Sequence, residues 1–316
     1  MASTADRPTR TASTASRCEV SVILPCFNNW PTVAACLEAL RAQTLGGFEV
    51  VMVDSSPGDE CETIVRGRFP EVRYERVATR LLPHAARNRG AERAGGELLV
   101  FTDPDTYAHP DWLEKLVARH RQSGHLVVGA LACYGRRWTD IGNHICKFSK
   151  WLPGGRPRPV DNAPTANLLC PHALFDELGR FDADLVHGDT AFSWTARGRG
   201  HTLWFAPDAI VVHHHLQGAR ELLHERYMRG VLYGEMRANR WANRRPTLLL
   251  YLVVSFLPVR LLRILALTAG HCGRARCLGR LVATHPIVIL GHAAALLGEC
   301  RTYTRRLATR RPNDGG

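Results

Sequence analysis

The chain has no CxxC pair, no apolar run at its start, and no GxGxxG or GxxxxGK[ST] loop behind any of its strand-like segments. Each absence removes a class of protein. Ten cysteines stand singly between Cys18 and Cys300, outside the spacings of zinc sites and secreted disulfide frameworks, so they read as reduced, small core residues. Met1 to Ser16 are mostly Ser, Thr, Ala and Arg. They lack the core of a secretory signal, and residues 1–17 are expected to form a loose tail on a protein that starts in the cytosol. Without a glycine-rich phosphate loop, neither a dinucleotide-binding half nor a P-loop ATPase fits. Any phosphate held here must be neutralised by other means. Lysine is missing from the last third. Ala219 to Gly316 carry seventeen Arg and five acids, a surplus of 17 − 5 = +12 that equals the net charge of the whole chain, the preceding residues being balanced at 24 basic and 24 acidic. The arginines bracket two apolar stretches, a pattern of membrane surfaces rather than of nucleic-acid binding.

With 45% hydrophobic and 22% charged residues in 316, the rest of the chain is rich enough in apolar side chains to bury a core, which excludes disorder over most of its length. Its first half alternates apolar runs with amphipathic segments, the signature of an α/β fold with helices on the faces of a mostly parallel sheet. Val20 to Leu24, Val50 to Val53 and Leu98 to Phe101 are continuous apolar runs, as strands buried on both faces require. Between them, helices are predicted from Pro31 to the Gly46-Gly47 stop, from Glu60 to Phe69 and from Ala85 to Ala94. In open α/β sheets ligands bind beyond the carboxyl ends of the strands. Those ends read Pro25-Cys26-Phe27-Asn28-Asn29, Asp54-Ser55-Ser56 and Asp103-Pro104-Asp105. Two carboxylates one residue apart behind a buried strand suit a divalent ion bridging a diphosphate, although a helix cap or a solvated turn around Pro104 is the plainer reading of that pair alone.

The ordered set of segments is more specific than any one of them. Ser21 to Pro25, Gln43-Thr44, Phe48 to Ser56, Ala86 to Gly90, Ala94 to Glu97 and Phe101 to Asp105 resemble the opening of the family 2 glycosyltransferases of GT-A fold. Gly179 to Asp182, Gly188-Asp189, Trp194, Gly200, Pro207 and His213 follow the second half of that pattern in order. The resemblance runs from about residue 19 to 216.

It implies an inverting, metal-dependent transfer of a sugar from a nucleotide-diphosphate sugar, with UDP the commonest donor nucleotide, to a hydroxyl of a glycan or lipid-linked acceptor. Donor contacts fall on Pro25, Asn28, Asp54, Arg87, Asn88 and Asp103. Mg²⁺ or Mn²⁺ would be held by Asp103, Asp105 and His213, with His215 on the same strand face as His213. Asp189 is the expected general base. Each has a plainer role beside it: Asp54 as a turn former before Ser55-Ser56, Arg87 as a surface charge, the histidine triplet as a solvated strand end, and Asp189 as a cap of a helix spanning Thr190 to Arg197. The family's Glu-Asp is here Gly188-Asp189, so the base position is kept and its acidic neighbour lost. From Cys133 to Ala166 the pattern runs out, in the region with Trp138, Asn143, His144 and Trp151 that would frame the acceptor. A nucleotidyltransferase or a catalytically silent binding protein on the same sheet are the competing readings.

The expected organisation is a tail (1–17), a GT-A catalytic domain (18–218) and a basic helical region (219–316). Residues 247–259 are apolar but too short to span a bilayer, and Leu281 to Gly298 is an uncharged stretch interrupted by His285, Pro286 and His292. A hairpin through the membrane would put Arg274, Arg276 and Arg280 on the wrong side. The expectation is therefore helices lying in the cytoplasmic leaflet, peripheral or partly inserted through 247–298, with arginines on anionic headgroups and no nucleic-acid partner. The alternative is a helical extension packed on the catalytic domain.

Overall fold

A computed structural model describes residues 18–214, 218–241, 245–256 and 258–309; the expected tail and His215 lie outside these residues. The first segments form β1 (Val20–Cys26), α1 (Trp30–Arg41), β2 (Glu49–Asp54), α2 (Glu60–Arg68), β3 (Arg73–Arg76), α3 (Pro83–Arg93) and β4 (Leu98–Thr102). β1 and β4 are buried at every position, which is why their sequences are continuous rather than alternating apolar runs. Pro31 falls in the first turn of α1, and Val33, Leu37 and Leu40 turn inward. The helix ends at Arg41, before the two glycines, and Pro83 starts α3 two residues earlier than the apolar spacing suggests, because its fixed φ suits a first turn.

The second half adds β5 (Thr106–Ala108), α4 (Trp112–Ser123), β6 (Leu126–Cys133), α5 (Trp138–Phe148), β7 (Arg158–Val160), β8 (Asn167–Pro171), α6 (His172–Glu177), α7 (Gly188–Gly198) and β9 (Leu203–His213). One nine-stranded sheet runs β3-β2-β1-β4-β8-β6-β9-β5, with β7 on β9. Its first four strands are parallel. β8 enters antiparallel between β4 and β6, so the sheet as a whole is mixed. The register of β6 against β9 slips between Gly129 and Ala130. Asn167, fully buried, fills that irregularity: its amide donates to Ala130 O at 2.9 Å and Ala209 O at 3.1 Å, and its carbonyl accepts from Trp112 Nε1 at 2.9 Å. A Cβ on Gly129 would sit 2.2 Å from that amide. Glycine is required there by space.

Four helices follow: α8 (Ala219–Trp241), α9 (Arg245–Phe256), α10 (Pro258–Arg274) and α11 (Leu278–Thr309). α11 lies against α8 and α5. Gly230 and Gly298 let the α8 and α11 backbones meet, since a Cβ on Gly230 would come 1.9 Å from Ala295 O and one on Gly298 2.1 Å from Tyr227 O. The joint is also ionic. Glu299 of α11 is buried and accepts from Arg260 Nη2 at 2.9 Å, Arg237 Nη1 at 3.3 Å and Tyr303 Oη at 3.1 Å, tying α8, α10 and α11 together. Arg237 and Arg260 thus face an acid inside the helical layer, and Arg306 pairs with Glu235 nearer its surface. The outer faces are apolar: Phe256, Val259, Leu262 and Val282 are all exposed. α11 is long and apolar enough to cross a membrane, with 39% of its apolar window buried against the protein, whereas α9 and α10 meet at 63°.

Candidate active site

β4 ends at Thr102, and the chain reverses within four residues into β5. The turn is pinned by Thr106, whose amide and hydroxyl donate to Asp103 O at 3.1 and 2.7 Å. β5 pairs antiparallel with β9 so that Thr106 stands opposite His213, and His214 N donates to Asp105 O at 2.8 Å. This pairing brings residues from two distant parts of the sequence together. Ligand atoms of Asp103, Asp105 and His213 lie within 4.8 Å of one another, and His213 Nε2 is 3.9 Å from Asp105 Oδ1. Burial, with Asp103 adding to it against the pull of His213, pushes the Asp105 carboxyl above its ordinary range. Two crowded carboxylates and an imidazole form a donor set that fits Mn²⁺ or Mg²⁺, whose charge would relieve their repulsion. Neither acid caps a helix: α4 begins at Trp112 behind Asp111.

Arg87, 4% exposed, is ion-paired to Asp103, so it is no loose surface charge. Its neighbour Asn88 is turned elsewhere: the Asn88 amide donates to Phe181 O at 2.8 Å and accepts from Phe181 N at 3.2 Å, holding the Gly179 to Asp182 segment against α3. Asp54 is 1% exposed, and its carboxylate accepts from Ser56 N at 2.8 Å, Ser56 Oγ at 2.5 Å and Tyr74 Oη at 2.6 Å. The plainer alternative for this residue, a turn former, is thus built alongside the expected donor contact, with both carboxylate oxygens engaged. Pro25 lies buried in β1 opposite Val53. Asn28 is exposed at the end of that strand with φ 57°, its amide donating to Ser56 Oγ at 2.8 Å. Cys26, Asp54 and Cys61 also converge within 4.8 Å, with the two sulfurs 3.4 Å apart. No local spacing could announce this contact, since strand and helix supply one thiol each.

Asp189 is the second residue of α7, and its Oδ1 accepts from Thr190 N at 2.7 Å and Thr190 Oγ1 at 3.3 Å, while its own amide donates to His84 Nε2 at 3.3 Å. Burial and the Arg87 guanidinium push the His84 imidazole down to about 4, so the ring is neutral and can accept. Arg87, paired with Asp103, and Asp189, bonded to His84, thus meet at one buried ring. Asp189 also lines a cavity of about 430 Å³ whose walls include Trp151, Trp194 and Phe148. The Phe148 ring is 5.2 Å from that of His213, so one aromatic side chain touches both the cavity and the cluster of Asp103, Asp105 and His213.

Of the aromatic and polar residues expected to frame the acceptor, Trp151 reaches this cavity, whereas Trp138 is exposed and Asn143 and His144 are buried. The His144 ring, 2.9 Å from Leu131 O, serves α5 packing. The largest group of cavity residues that the sequence does not announce comes from the C-terminal helices. Arg226, Arg229 and Tyr233 of α8 and His292 and Glu299 of α11 line the same cavity as Asp189. Lys147 on α5 and Arg229 bind Glu225 at 2.8 Å each. Burial opposes charging Glu225, but Lys147 and Arg229 outweigh it and hold this carboxyl down at about 2. The helical region is a wall of the site.

Among curated proteins, the chain is 28% identical to glycosyltransferase AglE of Haloferax volcanii over 206 residues, 61% of this chain and 66% of that protein. It is 27% identical to the succinoglycan biosynthesis protein ExoM of Rhizobium meliloti over 202 residues, 59% of this chain and 64% of the relative. The match thus spans a little under two thirds of these relatives' lengths. Among solved structures, GalNAc-T7 with UDP, GalNAc and Mn²⁺ superposes with a TM-score of 0.52 at 18% identity, covering 64% of this chain and 44% of the other. TarS of S. aureus superposes with a TM-score of 0.50 at 18% identity, covering 71% and 44%. These likenesses fix the fold as GT-A. Residues 21–177 match the family described as glycosyl transferase family 2, and with the ordered sheet, the paired acids and these relatives, the chain belongs to the family 2 glycosyltransferases.

Proposed function

We propose that the protein is an inverting glycosyltransferase that moves a sugar from a nucleotide-diphosphate sugar, UDP-linked in the first instance, to the hydroxyl of a lipid-linked or cell-envelope glycan at the cytoplasmic face of the membrane. The observation that carries this reading is the joining of two sites: the Asp103, Asp105 and His213 cluster adjoins the cavity lined by Asp189. A divalent ion held by the cluster would supply Lewis-acid neutralisation of the departing diphosphate. Arg87 orients Asp103 through their ion pair.

Asp189 takes the proton of the acceptor hydroxyl as its oxygen forms the new bond to the anomeric carbon. The bond from that carbon to the diphosphate breaks on the opposite face, and its electron pair leaves with the nucleoside diphosphate. The Thr190 contacts both fall on Oδ1 of Asp189, which orients the carboxylate. Asn28, Pro25 and Asp54 form the floor on which the nucleoside rests, Asp54 acting through the turn it holds, and Asn88 acts through Phe181. The exposed apolar faces of α9 to α11 support a peripheral or partly inserted seat on the bilayer through 247–298. Incubation of the full chain with UDP-sugars and Mn²⁺ should release UDP, and Asp103→Ala should abolish that release. Undiminished release by Asp103→Ala would end this reading.

A further inference from the structure

A hollow of about 610 Å³ lies where the end of α10 meets β7, the turn at Ser149–Trp151 and the C-terminal end of α7. Asp103, Asp105, His213 and Asp189 are not among its walls, although Asp161 and Arg197 line both this hollow and the Asp189 cavity. Its charge is one-sided. Lys150, Arg158, Arg197 and Arg274 line it against a single acid, Asp161, a surplus of 4 − 1 = +3. Asp161 is paired with Lys150 and its side chain is 61% exposed, so among the described residues the three arginines have no acid of their own. Elsewhere in the sheet region the rule is the reverse: Arg41, Arg73, Arg76, Arg89 and Arg121 each stand against a glutamate. His271 registers the crowding. Burial first, then Arg274, Lys150 and Arg158, push its imidazole down to about 4. Arg158 is also set in place, since its Nη2 donates to Lys150 O at 2.9 Å and its guanidinium carbon lies 4.4 Å from the centre of the Phe205 ring. Its remaining N–H groups have no partner among the described residues. Like charges held this close repel unless an anion neutralises them.

We infer that this hollow is an anion site, separate from the cluster of Asp103, Asp105 and His213, that takes a phosphate or diphosphate group among Arg158, Arg197 and Arg274 and so fastens α10 to β7 and α7. The charge selects the class of occupant. A surplus of three positive charges is met by a multiply charged anion and not by a single carboxylate, and a guanidinium fork fits two phosphate oxygens at once. Because Arg274 belongs to the helical region and Arg158 and Arg197 to the sheet region, one occupant bridges the two. The site goes beyond sugar transfer and does not rest on it. Its phosphate can be a free anion or the phosphomonoester headgroup of a bilayer lipid, and the chemistry of recognition is the same for both.

Calorimetry of pyrophosphate binding to the full chain, without divalent ions so that the acid cluster has nothing to draw a phosphate, tests the assignment. Pyrophosphate should bind, and acetate at the same concentration should not displace it. Arg158→Gln and Arg274→Gln should each weaken pyrophosphate about tenfold, while both variants bind UDP with Mn²⁺ as the parent does. Arg274 is exposed, so its variant keeps the test open if Arg158→Gln disturbs the fold. Hydrogen exchange at the C-terminal end of α10 should slow when pyrophosphate saturates the parent and should not slow in Arg274→Gln. Vesicles of phosphatidylcholine with phosphatidic acid separate the two sources. Displacement of pyrophosphate by these vesicles, and not by phosphatidylcholine alone, supports the site with a lipid headgroup as its occupant; no displacement supports it with a free anion. A parent chain that does not bind pyrophosphate, or binding that both arginine variants keep at parental strength, overturns the inference. Exchange at α10 that ignores saturating pyrophosphate overturns the fastening of α10.

Discussion

The sheet region and the helical region solve the problem of burying polar groups in opposite ways. In the sheet, charges are balanced along the sequence, and the buried polar residues Asp54, Arg87, Asn167 and His213 gather at strand ends and at one sheet irregularity. A wide apolar core runs behind them from Val20 to Val211. The helices carry all of the excess positive charge and only small apolar clusters, one of them Ala238, Leu248 and Tyr303. They are held by close backbone packing at Gly230 and Gly298 and by a buried acid, Glu299, among arginines. The difference teaches where each region is fragile. The sheet tolerates loss of a polar group at the cost of chemistry; the helices lose their joint.

The largest contrast comes from Asp189→Asn. It should lower transfer by about a hundredfold to ten-thousandfold, the range of a positioned general base, while the melting temperature stays near that of the parent. Steady-state kinetics together with calorimetry would show both, and transfer at parental rate would break the comparison at its catalytic end. Next is Glu299→Ala, which strands Arg237 and Arg260 without their acid and should destabilise by about 3–5 kcal/mol. The loss should fall on α8 to α11, read by hydrogen exchange, with nucleotide binding by the sheet retained. Uniform loss across both regions would erase the distinction drawn here.

Acid supplies a third cut. His84 titrates at about 4 in the folded chain against about 6.5 for an ordinary histidine. Its contribution to stability is present above pH 6.5 and is lost as the pH falls through 4. The shift corresponds to about 3 kcal/mol, and His84→Gln should flatten that part of a stability-against-pH curve. The smallest effect is expected from Arg121→Ala. Its bond to Glu19 is 2.6 Å long but well exposed, and chemical denaturation should register less than about 1 kcal/mol.

The parts of this molecule legible in its sequence are those where one residue's neighbours along the chain decide its state. Continuous apolar runs gave β1, β2 and β4, and a proline in the first turn marks α1 and α3. The paired acids and His213 were readable because ordered motifs carry them, and the fold then sets them within ligand reach of one another. What was hidden depends on partners far away in the chain. β8 runs against its neighbours, and its Asn167 is explained only by a register slip two strands over. Asn88 sits among motif residues yet serves the backbone of Phe181. Arg226 and Arg229 entered only the charge count of the last third, because counting along a helix cannot tell which face another helix will cover.

The antiparallel pairing of β5 with β9 has one more consequence. It makes the acid and imidazole cluster a product of the closed sheet: the two acids lie in the turn after β4, but their imidazole partner comes on the last strand in sequence order. A chain that has not yet threaded β9 into place lacks the imidazole of this cluster. Once it has, any ion that binds there draws the finished sheet further toward its folded form.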